Sequence, residues 1–139
     1  MTWHFDHLAF NTAEGDALQR AFQALLGLEA GRRPPFPFPG RWLYQDTQAL
    51  VHVIEQPRFS ETTLGHIAFR TAEDAAQVLQ RVRASGLPHQ VARVPQDGIW
   101  QIFVRIPGGL VLELDAPADA ELEAGYGDEA GSGAPDVKT

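Results

Sequence analysis

The sequence predicts an α+β fold in which two βαβββ modules form one curved mixed sheet around a shared concave face. Three observations predict it. The phrase DHLAFNTAEG at residues 6–15 returns at 65–74 as GHIAFRTAED, displaced by 59 positions without a gap. Between residues 6–28 and 65–87, nine of 23 positions are identical, well above coincidence for this composition. After each copy come three extended segments separated by turn signals.

Each copy opens on a strand. Large apolar residues alternate with smaller or polar ones, so Leu8 and Phe10 share one face while His7, Ala9 and Asn11 share the other. Ile67 and Phe69 stand in the same way against His66, Ala68 and Arg70. Thr12 and Thr71 then read as helix N-caps, with Glu14 and Glu73 in the first turn. The helical stripes are Leu18, Phe22 and Leu25 in the first copy, and Ala75, Leu79 and Val82 in the second. Gly27 and Gly86 suit the left-handed C-cap. The extended segments follow at 29–33, 40–46 and 49–55, and again at 88–94, 98–106 and 110–115, with PPFPFPG, DTQ, PQDG and PGG as turns. Residues 1–116 thus read as one domain, with module one over about 3–55 and module two over about 64–116. Residues 117–139 form an acidic Gly- and Ala-rich tail with too little apolar surface to fold alone.

Composition narrows the function classes. The chain of 139 residues is 44 % hydrophobic, enough for a real core, and has no run of membrane-spanning length and no leader pattern. A soluble, cytoplasmic protein is the expectation. With no cysteine, thiolate zinc sites, disulfides and a Cys nucleophile are excluded. Of the net charge of −7, the tail carries −5, and the nearly neutral body has no basic stripe, which argues against nucleic acid.

Strand parity gives the concave face its chemistry. The large apolar side of each first strand belongs under its helix, which leaves His7 and His66 on the opposite face, each beside an alanine that leaves open volume. On the last strand of each module, His52 and Glu113 also turn away from the helix. Imidazole and carboxylate are ligands for Zn, Ni, Mn or Fe(II), and two His with one carboxylate make the facial-triad arrangement. His7, His66 and Glu113 are therefore candidate ligands. His52 reads either as a fourth ligand or as a histidine that supports the ligands or contacts the substrate, because pairing it with Glu113 needs an offset of 61 rather than 59.

The paired βαβββ modules, the DHLAF and GHIAF strands and the closing PGGLVLEL resemble the vicinal oxygen chelate superfamily over about residues 3–116. That group includes glyoxalase I, fosfomycin-resistance thiol transferases, methylmalonyl-CoA epimerase, extradiol dioxygenases and bleomycin-binding proteins. RRPPFPFPGRWLY and VHVIE narrow the likeness to glyoxalase-like proteins whose first module ends in a His-containing strand. The resemblance implies a divalent metal held at His7, His52, His66 and Glu113, a small-molecule substrate and a homodimer. It also implies that Gln101 and Phe103 face the site. Trp42 and Tyr44, with the Phe36 and Phe38 loop, read either as an aromatic wall or as core packing beside a polyproline connector. Arg33 and Arg41 read either as holders of an anionic substrate or as solvated surface.

The activity implied is that of a glyoxalase-type lyase or isomerase, in which Glu113 is the one available metal-bound base. The first-module Glu of many bacterial glyoxalases is His52 here. An Fe(II) extradiol-type dioxygenase and a non-catalytic binding or resistance protein are the alternatives. A fosfomycin transferase fits less well, because the Thr beside its first His is Ala9 here and the Arg after its final Glu is missing.

Overall fold

The computed structural model describes residues 2–117 and gives each copy of the repeat one helix and four strands. Module one comprises β1 (His4–Thr12), α1 (Gly15–Leu26), β2 (Glu29–Gly31), β3 (Gly40–Gln45) and β4 (Gln48–Glu55). Module two comprises β5 (Thr63–Arg70), α2 (Ala75–Ser85), β6 (His89–Arg93), β7 (Ile99–Arg105) and β8 (Val111–Pro117). The tail expected over 117–139 lies outside the described residues, except for Pro117 at the end of β8.

All eight strands join one mixed sheet in the order β2-β3-β4-β1-β5-β8-β7-β6. Within each module the first and last strands run parallel, β1 with β4 and β5 with β8. At the centre β1 pairs antiparallel with β5, so the modules meet within a single chain. Pairing of Ala9 with His52 and of Ala68 with Glu113 makes those two residues register equivalents despite the shifted sequence offset.

The helices lie on one face, α1 over β3 and β4, and α2 over β7 and β8. Under α2 the core is built from Val78, Leu79 and Val82 against Trp100, Ile102 and Val104. Under α1, Leu18 and Phe22 cover Leu28, Leu43, Val51 and Val53. Leu25 departs from the expected stripe and is 81 % exposed. The reason is the helix end. Gly27 takes φ 69° and turns the chain so that Leu28, not Leu25, enters the core.

The helix starts also differ from the expected threonine caps. Thr12 and Thr71 are buried, and each Oγ1 accepts from the backbone N–H two residues on, at Glu14 (3.0 Å) and Glu73 (3.2 Å). Each threonine therefore closes a small turn that competes with helix, and the helices begin at residues 15 and 75. Asp74 caps α2 by accepting from Ala76 N. Among the described residues, no helix is long and apolar enough to cross a membrane.

The two leucines give opposite expectations. Leu79→Ala, in a fully packed site, should cost about 2–5 kcal/mol, whereas Leu25→Ala should stay within about 0.5 kcal/mol, both read from urea denaturation midpoints. Equal losses would contradict the packing of α1.

Candidate metal centre

The site begins with a bulge. The β1–β5 register shifts between Phe5 and His7, and Asp6 swings to the side of His7, so that Asp6 Oδ2 lies 2.6 Å from His7 Nδ1. That contact commits Nδ1 and leaves Nε2 as the free ring atom. His7 Nε2 is buried, has no hydrogen-bond partner and lies 3.6 Å from Glu113 Oε1. From β5, His66 Nε2 reaches the same oxygen at 2.8 Å.

The donor atoms of His7, His66 and Glu113 lie within 4.8 Å of one another, and all three side chains are buried. An orphaned imidazole nitrogen aimed at a carboxylate oxygen that a second imidazole already contacts is the arrangement expected of a divalent-ion site. The residues present fit such an ion. Among the described residues one other donor group has this spacing, Asp6, His7 and Asp115, and it shares His7 with the first.

Burial and charge oppose each other here. Burial disfavours the charged His7 ring, but the Glu113 charge and the hydrogen bond that the ring donates to Asp6 outweigh it and raise its pKa to about 9. Burial likewise works against ionised Glu113, yet the two imidazoles hold it well below the usual carboxylate range. Asp115 goes the other way. Its burial and the neighbouring Glu113 charge push it well above that range.

His52 stands beside the trio rather than in it. Its ring is stacked between His7, at 3.4 Å, and Trp42, at 3.9 Å, and its Nε2 is buried without a partner. Burial, reinforced by His7, lowers its pKa well below the ordinary value and keeps it neutral.

One pocket opens onto His66 and Glu113 and is walled by Arg33, Phe36, Phe38, Trp42, Gln101 and Phe103. Phe103 meets the His66 ring edge-on at 5.4 Å, and Gln101 Nε2 lies 3.5 Å from Glu113 Oε2. Of the aromatic residues considered for a wall, Phe36, Phe38 and Trp42 line this pocket. Tyr44 is elsewhere: its hydroxyl donates to the Arg32 carbonyl, and it lines a neighbouring cavity of about 440 Å³ with Asp6 and Arg70. Arg41 is taken up by Asp16 and Glu55. Two residues escaped sequence reasoning. Asp115 was open to parity, two positions after Glu113 on one strand, whereas Asp6 reaches the site only through a bulge that alternation does not show.

Similarity to known proteins is found among solved structures. Methylmalonyl-CoA epimerase from Mycobacterium tuberculosis is 18 % identical and superposes with a TM-score of 0.60 over 86 % of this chain and 91 % of that one. A variant of the Streptomyces coelicolor methylmalonyl-CoA epimerase, in complex with 2-nitronate-propionyl-CoA, is 20 % identical with a TM-score of 0.60 over 83 % and 97 %. Hypothetical protein BH1468 from Bacillus halodurans C-125 is 14 % identical with a TM-score of 0.64 over 86 % and 97 %. No family model and no curated protein matches the sequence. The likeness shows that this chain shares the fold of these proteins, one curved mixed sheet built from paired βαβββ modules.

In the metal-free protein the His7 ring should titrate near pH 9, followed by NMR of its ring protons, and Asp6→Asn should bring that midpoint down. A midpoint indifferent to Asp6→Asn would mean that Asp6 does not hold the ring.

Proposed function

We propose that this protein is a metal-dependent lyase or isomerase of the glyoxalase type, acting on a small substrate with vicinal oxygens. The convergence of His7 Nε2, His66 Nε2 and Glu113 Oε1 carries the reading. Neighbours named as epimerases favour the isomerase side of it. His7, His66 and Glu113 would hold a divalent ion (Zn, Ni, Mn or Fe), with His52 as a further donor or a support. When bound, the ion supplies Lewis-acid stabilisation of the charge that develops on the substrate oxygens as the enediolate forms.

The chain's own residues do the rest. Asp6 fixes the His7 ring so that Nε2 faces the site. Glu113 is ionised at neutral pH, because the imidazoles hold its pKa down, and can accept a proton. Its Oε1 is engaged by His66, while Oε2, beside Gln101, is the atom that takes the proton alpha to the substrate carbonyl and returns it after the charge has moved. Phe103 and Trp42 line the pocket and keep water from the reacting carbon. A second reading, Fe(II) extradiol-type oxygenation of a catechol, is favoured by the same two-histidine, one-carboxylate set.

Metal analysis and turnover test the proposal together. One divalent ion per chain is expected, lost in His66→Ala. With occupancy restored by added ion, Glu113→Gln should bind an enolisable ketone yet turn it over about 10²–10⁴ times more slowly. Full occupancy in both His66→Ala and Glu113→Ala would overturn the site. Oxygen uptake with catechols and no ketone turnover would transfer the assignment to the second reading.

The assembly proposed is a homodimer. Support comes from the open edges at β2 and β6 and from exposed apolar side chains such as Phe5, at 39 % exposure beside Phe69. Sedimentation across micromolar concentrations should show a dimer, and a metal-loaded monomer throughout would refute it.

A further inference from the structure

The connection between β2 and β3, residues 32–39 (RRPPFPFP), projects one cation into the pocket that opens on His66 and Glu113. Four prolines restrict its backbone, and the buried Pro34 anchors it. The Arg33 guanidinium lies over the Phe36 ring at 5.2 Å and the Phe38 ring at 5.1 Å, and its Nη2 donates to the Phe38 carbonyl at 2.8 Å. Neighbouring arginines are spoken for: Arg32 by Asp97, Arg41 by Asp16 and Glu55, and Arg70 by Asp6. Among the described residues, no carboxylate lies within ion-pair distance of Arg33. A guanidinium has five N–H donors in a rigid fork, so one bond to a carbonyl leaves an edge for a bidentate anion.

A partly buried cation with no counter-charge, held still by two rings and a carbonyl, is costly unless a ligand completes it. The rest of the pocket specifies that ligand's body. Phe36, Phe38, Trp42 and Phe103 offer flat apolar surface. We propose that Arg33 binds the carboxylate of a small, flat, aromatic substrate whose vicinal oxygens point to His7, His66 and Glu113. The last clause rests on the metal-site reading above. One unpaired cation selects a monoanion.

The test compares 3,4-dihydroxybenzoate with its neutral isostere 3,4-dihydroxybenzamide, titrated calorimetrically into the metal-loaded and metal-free protein. The wild type should prefer the acid by about 10- to 100-fold, the worth of a charge-assisted pair. Arg33→Gln should bring the ratio near one while amide binding persists, which also shows that the pocket is intact. Should Arg33→Gln lose the amide as well, Arg33→Lys decides, because it keeps the charge and should keep part of the preference. Equal affinities in the wild type, a preference that survives Arg33→Gln, no preference in Arg33→Lys, or no saturable binding of either probe would each overturn the proposal. Removing the ion should weaken both probes without altering their ratio. If the ion has no effect but the ratio stands, the chelation reading fails and the Arg33 site survives.

Discussion

Everything in the site depends on the antiparallel pairing of β1 with β5. Its register sets His7 opposite Ala68 and Ala9 opposite His66, so each imidazole lies across from a methyl group on the partner strand. Both alanines are fully buried, and the volume they leave is what lets two rings and a carboxylate share so small a space. The parallel neighbours then follow from register alone. β4 brings His52 beside Ala9 and β8 brings Glu113 beside Ala68, because each module repeats the same pairing of first and last strands. A larger side chain at either alanine would strike an imidazole from the opposite strand.

Approximate symmetry also explains why the two halves are not interchangeable. The repeat writes a histidine at the first position twice but differs at the second, with Glu113 in one module and His52 in the other. A carboxylate can balance a charged imidazole out of water; another imidazole cannot. His7 therefore gains a proton affinity with a pKa of about 9 from Glu113 and Asp6, while His52, stacked on the same ring, is driven neutral. Buried like charges at 3.4 Å between ring centroids would be too costly, so the stack divides the roles.

Much of this was legible from residues alone. The repeat at 59 positions and strand parity were enough to place His7, His66 and Glu113 on one face, because alternation in a strand is a hard geometric rule. Gln101 and Phe103 were set toward the site by the family resemblance rather than by parity, and both line the pocket. What parity could not show was local irregularity. The bulge at Asp6 breaks alternation. The turns at Thr12 and Thr71 delay the helices, and the left-handed Gly27 exchanges Leu28 for Leu25. Each is a backbone event decided by a few hydrogen bonds, weaker than the hydrophobic pattern and invisible to it. His52 illustrates a further limit: its strand position follows from register, but its stacking on His7 and Trp42 depends on side-chain rotamers.

The greatest divergence between the modules lies in one connection. Between β2 and β3 the chain runs through residues 32–39, while the equivalent link between β6 and β7 is the shorter 94–98 (VPQDG). The longer link carries Arg33, Phe36 and Phe38 to the pocket, and the shorter one brings no cation to it. A duplicated sheet supplies donors in pairs and holds them rigidly, because every strand is hydrogen-bonded to its neighbours. It cannot by itself discriminate between substrates, since both halves repeat nearly the same face. Discrimination needs an element present on one side only, and a proline-stiffened loop provides one at small conformational cost, its backbone having little freedom to lose on folding. The division of labour follows from that: the repeated strands gather the charge-handling groups, and the unrepeated loop presents the groups that a ligand would have to match.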